Sequence, residues 1–90
     1  MKVRFTKRFS KEYDKAPKKI KAAFNKRLQL FMEDKFHPTL NNHSLAGKYT
    51  GYRSINVTGD WRVVFRELDE SEIIYFDILG THSKLYKKSN

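Results

Sequence analysis

At the N-terminus the apolar positions alternate: in "MKVRFT", Val3 and Phe5 stand against Lys2 and Arg4, the period of a half-buried strand. From Ser10, a candidate N-cap, the spacing in "SKEYDKAPKKIKAAFNKRLQLFMED" lengthens to that of helix. Pro17 divides this stretch, because proline suits the first turn of a second helix and not the interior of one long helix. Beyond it Ile20, Ala23, Phe24, Leu28 and Phe31 recur every three or four residues, while Lys18, Lys19, Lys21, Asn25, Lys26 and Gln29 fall mostly elsewhere. The second helix therefore packs one face and presents a basic one.

"KFHPTLNNHSLAGKYTG" has no helical period, and His37-Pro38, Asn41-Asn42, Gly47 and Gly51 mark it as a connection. Connections of this length inside a compact domain often carry function, which singles out His43. Next, "YRSINV" alternates Arg53, Ile55 and Val57 with Tyr52, Ser54 and Asn56; Thr58-Gly59 reads as a two-residue turn, and "DWRVVFRE" returns as its partner strand. A polar "LDESE" precedes "IIYFDIL", whose β-branched and aromatic residues suit a central strand. The expected fold is α+β and one domain over residues 1–90: an N-terminal strand, two helices on one face of the sheet, and a three-stranded antiparallel β-meander against which the first strand also pairs.

Charge adds a partner to this scaffold. Nineteen Lys and Arg against ten Asp and Glu leave +9, which favours a polyanion, nucleic acid or an acidic protein; keeping a small protein soluble is the plainer use of those lysines. With no cysteine, disulfides, thiolate nucleophiles and most structural zinc sites are excluded. No apolar run approaches the roughly 20 residues that span a bilayer, and "MKVRFTKRFSKEY" lacks the apolar core of a secretory signal, so the expected location is cytoplasmic, with no membrane partner.

Strand pairing brings candidate chemistry together. If Val57 pairs with Asp60 across the first turn and Glu67 with about Ile73 across the second, Trp61 falls opposite roughly Leu79, and Asp60 and Gly80 share one edge of the sheet. His82 and Tyr86 emerge at that edge, Asn56 lies beside the same turn, and Arg62 and Arg66 sit on the neighbouring strand. Such a set suits cleavage of a phosphodiester: a base activates a hydroxyl, an acid protonates the leaving oxygen, and cations stabilise charge on phosphorus. In RNA the 2′-hydroxyl is the nucleophile, so neither a protein nucleophile nor a metal is required, and histidine can take either proton-transfer role. On geometry alone, Asp60 as a turn former, His82 as a helix cap and Trp61 as core remain equally open readings.

At "HSLAGKYTGYRSINVTGDWRVVF" and "ILGTHSKLY" the chain resembles the RelE/ParE superfamily of bacterial toxins from type II toxin–antitoxin modules, in its YafQ-like branch. The pattern occupies His43, Leu45, Gly47, Gly51 to Arg53, Asp60 to Arg62, Gly80 to His82, Leu85 and Tyr86. The resemblance implies an endoribonuclease that docks in the decoding site of the ribosome, against 16S rRNA, and cuts mRNA there without a cofactor or metal. It implies active-site positions at His43, Asp60, His82 and Tyr86, with Trp61 adjoining; Asp60 or His43 would be the base and His82 the acid. Arg53, Arg62, Asn56, Trp61, Lys18 and Lys19 are the expected phosphate- and RNA-binding residues, and the expected partner is a cognate acidic antitoxin that covers the basic helix. Two positions differ from the pattern. Asn56 stands where some YafQ-like toxins carry a second histidine, and "IIYFDIL" lacks the arginine that some members place before Gly-Thr-His, so Arg62 or Arg53 must supply that charge. The alternatives are a ParE-like toxin of the same fold that inhibits DNA gyrase and cleaves nothing, and a non-enzymatic RNA-binding module.

Overall fold

The computed structural model describes residues 1–68 and 72–86. Strand β1 spans Lys2–Phe5, helix α1 Lys7–Lys15 and helix α2 Lys18–Glu33. Short strand β2 (His43–Ser44) lies between two 3₁₀ turns, Pro38–Leu40 and Gly47–Tyr49. Strands β3 (Arg53–Asn56), β4 (Trp61–Leu68) and β5 (Ile73–Thr81) follow, and a single helical turn, α3 (His82–Leu85), closes the described chain. The sheet order is β1-β5-β4-β3-β2, with β1 parallel to β5 and the other pairs antiparallel. The α+β architecture, the meander and the added first strand match expectation, and β5 is the strand that receives β1.

Helix α1 begins three residues before the expected cap. Thr6, not Ser10, is the N-cap: its Oγ1 accepts from the Phe9 amide at 3.2 Å. The earlier start places Phe9 inside the helix, where it is buried against Phe5, Phe24 and Phe76. Pro17 breaks the helices as read from sequence, although it serves as the residue before α2, with its carbonyl accepting from Ile20 and Lys21. Phe24 and Phe31 of α2 reach the same core as Phe65 and Phe76 of the sheet. Both long helices thus cover one face, as expected.

The register differs from the sequence reading at three places, and the shifts bear on the site. The first hairpin loop holds three residues, Thr58 to Asp60, because Val57 bonds Trp61 (N to O, 2.9 Å) and not Asp60. The Thr58 hydroxyl accepts from the amides of both Asp60 and Trp61, which stabilises the wider turn. Across the second turn Glu67 faces Ile74 and Leu68 faces Ile73, while residues 69–71 of the polar "LDESE" lie outside the described residues. A bulge then shifts the ladder between Val64 and Phe65: Phe65 faces Phe76 but Val64 faces Ile78, so Asp77 is the extra residue. Thr6 Oγ1 donates to the displaced Asp77 carbonyl at 3.2 Å, and Glu12 Oε1 accepts from the Leu79 amide at 3.2 Å, so α1 satisfies the bulged backbone. As a result Phe76 and Leu79 both face the helices, and Trp61 meets Thr81 where sequence reading put Leu79.

The other face of the sheet carries Ser54, Val64 and Ile78. It is covered by Leu85 of α3 with Leu45, Tyr49 and Tyr52 of the long connection, which makes a second, smaller apolar cluster. The one-turn α3 on this face adds to the two-helix layer read from sequence.

Candidate active site

Strand β5 does not stop at Gly80; it runs through Thr81, which then caps α3 by accepting from the Lys84 amide at 3.2 Å. The His82 amide donates to the Asp60 carbonyl at 2.7 Å, tying the start of α3 to the hairpin loop. One helical turn later comes Tyr86, and the two rings pack with centroids 4.7 Å apart. Tyr86 also meets Tyr49 edge to face at 6.1 Å. Burial, then Tyr49, raises the phenol pKa of Tyr86 above 10.0, while the Arg62 guanidinium acts in the opposite direction. Tyr86 therefore stays a neutral hydroxyl, able to donate, across the physiological range.

On the opposite side of the sheet surface, the long connection is anchored by β2, whose His43 pairs with Ser54 of β3. Within the connection read from sequence, Asn41, with φ of 50°, turns the chain, and His43 enters as an edge-strand residue. The His43 Nδ1 lies 2.7 Å from the Asn41 carbonyl oxygen. Since a carbonyl can only accept, Nδ1 carries the hydrogen and donates, which leaves Nε2 with a lone pair whenever the ring is neutral.

Between these two margins lies a cleft of about 290 Å³ lined by Asn41, His43, Ser54, Arg62, His82 and Tyr86. Arg62 is fixed by its Nη1, which donates to the carbonyls of Thr58 and Gly59, each at 2.9 Å. Four of the residues selected from sequence thus converge: His43, Arg62, His82 and Tyr86. Asn56 adjoins them as the Cα partner of Arg62. Ser54 and Asn41 were missed, Ser54 because serine in an alternating strand carries no chemical signal until the covering of both sheet faces is known.

The remaining candidates are placed elsewhere. Asp60 is exposed and does not line the cleft; its backbone, not its carboxylate, touches His82. Trp61 turns to the helix side, packs on the main core, and lines a separate groove with Lys11, Lys15 and Lys84 among others. Arg53 also points to the helix side: its Nε donates to Asn42 Oδ1 at 2.8 Å and its guanidinium lies over Phe36 at 5.5 Å. Of the two arginines selected from sequence, Arg62 is the one that lines the cleft. Lys18 and Lys19 are exposed on the first turn of α2, and Arg66 lies over Tyr75 at 5.7 Å. Among the described residues no three His, Cys, Asp or Glu side chains come together as a metal-binding group, and no helix is long and apolar enough to cross a membrane.

A family model described as a bacterial toxin of type II toxin–antitoxin system, YafQ, matches residues 1–87. No curated protein sequence matches the chain. Among solved structures, the fold is similar to YafQ from E. coli strain BL21(DE3), with a TM-score of 0.77 at 20% identity over 93% of this chain and 96% of that one. A YoeB/ParE toxin from Agrobacterium tumefaciens gives a TM-score of 0.75 at 19% identity, over 91% of this chain and 99% of that one. A chain of the E. coli DinJ-YafQ toxin–antitoxin complex gives 0.74 at 22% identity, over 93% and 94%. With a family match that runs nearly from end to end, the chain belongs to the YafQ family of toxins of type II toxin–antitoxin systems.

Proposed function

We propose that this toxin is a ribosome-dependent mRNA endoribonuclease that cleaves through the 2′-hydroxyl of its substrate by metal-independent acid–base catalysis. The observation that carries the reading is the pair of histidines on opposite margins of a cleft with an arginine on its wall. His43 is the base. Its Nδ1–H is committed to the Asn41 carbonyl, so Nε2 is free to take the proton of a ribose 2′-hydroxyl. The 2′-oxygen then bonds to phosphorus, the bond from phosphorus to the 5′-oxygen breaks, and protonated His82 gives its proton to that leaving oxygen. Arg62 stabilises the charge on the phosphoryl oxygens, and Tyr86 orients the His82 ring and donates from its neutral hydroxyl. Asp60 acts through its backbone, holding His82 in place. In this reading the exposed lysines of α2 and the +9 charge bind rRNA, and the same charge draws an acidic antitoxin.

In this reading the ribosome supplies the positioning that brings the 2′-hydroxyl into line with phosphorus. Primer extension on message from translating ribosomes tests the proposal. Wild type should give discrete stops that His43→Gln and His82→Gln each weaken by about 10²- to 10⁴-fold, the contribution of a positioned proton-transfer group. Full cleavage by either variant removes that histidine from the reaction. Intact message together with blocked gyrase supercoiling would favour the ParE-like reading.

A further inference from the structure

Ser54 is the one buried polar residue among the described residues, with 1% of its surface exposed. Its Oγ has no hydrogen-bond partner, and among the described residues the only other buried side-chain atom so placed is Oδ1 of Asn56. The two fall on the same strand and the same face, two residues apart, and Ser54 lies in the floor of the cleft beside its cross-strand partner His43. A dry, unpaired hydroxyl is destabilising, and an alanine at this position would avoid that cost. The polar group is thus of no service to the free fold, and its position points to a ligand. In a cleft that also holds Arg62, His43 and His82, the complementary partner for a hydroxyl hydrogen is an anionic oxygen.

We propose that Ser54 is a substrate-binding residue that donates its Oγ–H to a non-bridging oxygen of the phosphate held in the cleft. This rests on reading the cleft as a phosphodiester site. Oγ is covered in the free protein, so its bond to the phosphate forms as the side chains over it give way, with no change required in β3 itself. The bond forms next to the base, where attack of the 2′-oxygen brings the phosphorus.

Uridine 3′-monophosphate, titrated into the full chain and followed by backbone amide shifts, provides the test without any cleavage step. Wild type should show saturable shifts at Ser54 and His82. Ser54→Ala should weaken binding by about tenfold, as for a hydrogen bond to a charged group, while its melting temperature is equal to or above that of wild type. Ser54→Thr, which keeps the hydroxyl, should recover part of the affinity. Equal binding by wild type and Ser54→Ala overturns the proposal, as does an absence of saturable binding to wild type. A large loss of melting temperature in Ser54→Ala also overturns it, since the hydroxyl would then serve the fold. Ser54-dependent binding without ribosomal cleavage would instead reject the nuclease reading and leave this assignment standing.

Discussion

Replacing Arg62 by alanine should have two separable consequences, because one guanidinium both faces the cleft and fastens the hairpin loop. Its Nη1 donates to the Thr58 and Gly59 carbonyls at 2.9 Å each, with a longer 3.4 Å approach to the Trp61 carbonyl. Hydrogen bonds from a charged donor contribute about 1.5–3 kcal/mol each when buried. Here the side chain is half-exposed and the freed carbonyls can turn to water, so about 2 kcal/mol for the pair is the appropriate size. For a domain of this length that lowers the melting temperature by about 8–16 °C, measurable by circular dichroism. Cleavage, assayed well below both melting temperatures so that each protein is folded, should fall by about 10²- to 10³-fold through lost stabilisation of the transition-state charge. Arg62→Lys separates the effects: it keeps a charge for the cleft, but its single ammonium nitrogen cannot hold the loop carbonyls and meet the phosphate at once, so stability should drop while cleavage is partly restored. An unchanged melting temperature in Arg62→Ala would refute the clamp, and unchanged cleavage would refute its place in the site.

Other perturbations follow from the same contacts. Phe76 is fully buried against five other phenylalanine rings, so Phe76→Ala should cost about 3–5 kcal/mol and leave little folded protein by calorimetry. Thr6→Ala removes both the α1 cap and the bond to the bulge carbonyl and should lower stability by about 1–2 kcal/mol in urea denaturation. Because the Tyr86 pKa is raised in the folded protein, that protein holds its proton longer than the unfolded chain. The contribution of Tyr86 to stability should therefore be fully present below pH 10 and be lost as pH rises beyond it; Tyr86→Phe should flatten that decline, as seen in melts across alkaline pH.

How much of this was legible in the sequence depended on whether a feature was local. The strand alternation of Val3 and Phe5, the helical spacing from Ile20 to Phe31 and the break at Pro17 are short-range properties, and each element stands where its period put it. The start of α1 was misplaced because Thr6 and Ser10 are equivalent caps by residue type; only the long-range need to bury Phe9 and to satisfy the Asp77 carbonyl selects Thr6. The bulge at Asp77 leaves no mark in "IIYFDIL", since it is held by contacts with α1; it moved the expected partner of Trp61 by one residue, and the pairing of Glu67 with Ile74 moved it by another.

For the site, the meeting of His82 with the Asp60 loop survived these shifts because both strands end at the same sheet edge. The division of side chains between the two sheet faces was not legible. Trp61 and Arg53 fall in the phase that faces the helices, which depends on register and not on residue type, and Asp60 turns its carboxylate to solvent once the loop widens to three residues. Ser54 entered the site for the converse reason: its phase faces the cleft.

The chemistry of the new RNA ends tests the central claim most directly. Attack by the 2′-hydroxyl leaves a 2′,3′-cyclic phosphate on the upstream fragment and a free 5′-hydroxyl on the downstream one. With protein treated with chelator and freed of it before addition to mRNA programmed on ribosomes, the downstream fragments should accept phosphate from polynucleotide kinase without prior phosphatase treatment. Downstream fragments that already carry a 5′-phosphate, or cleavage by untreated protein but not by the chelator-treated protein, would contradict cleavage by the His43–His82 pair.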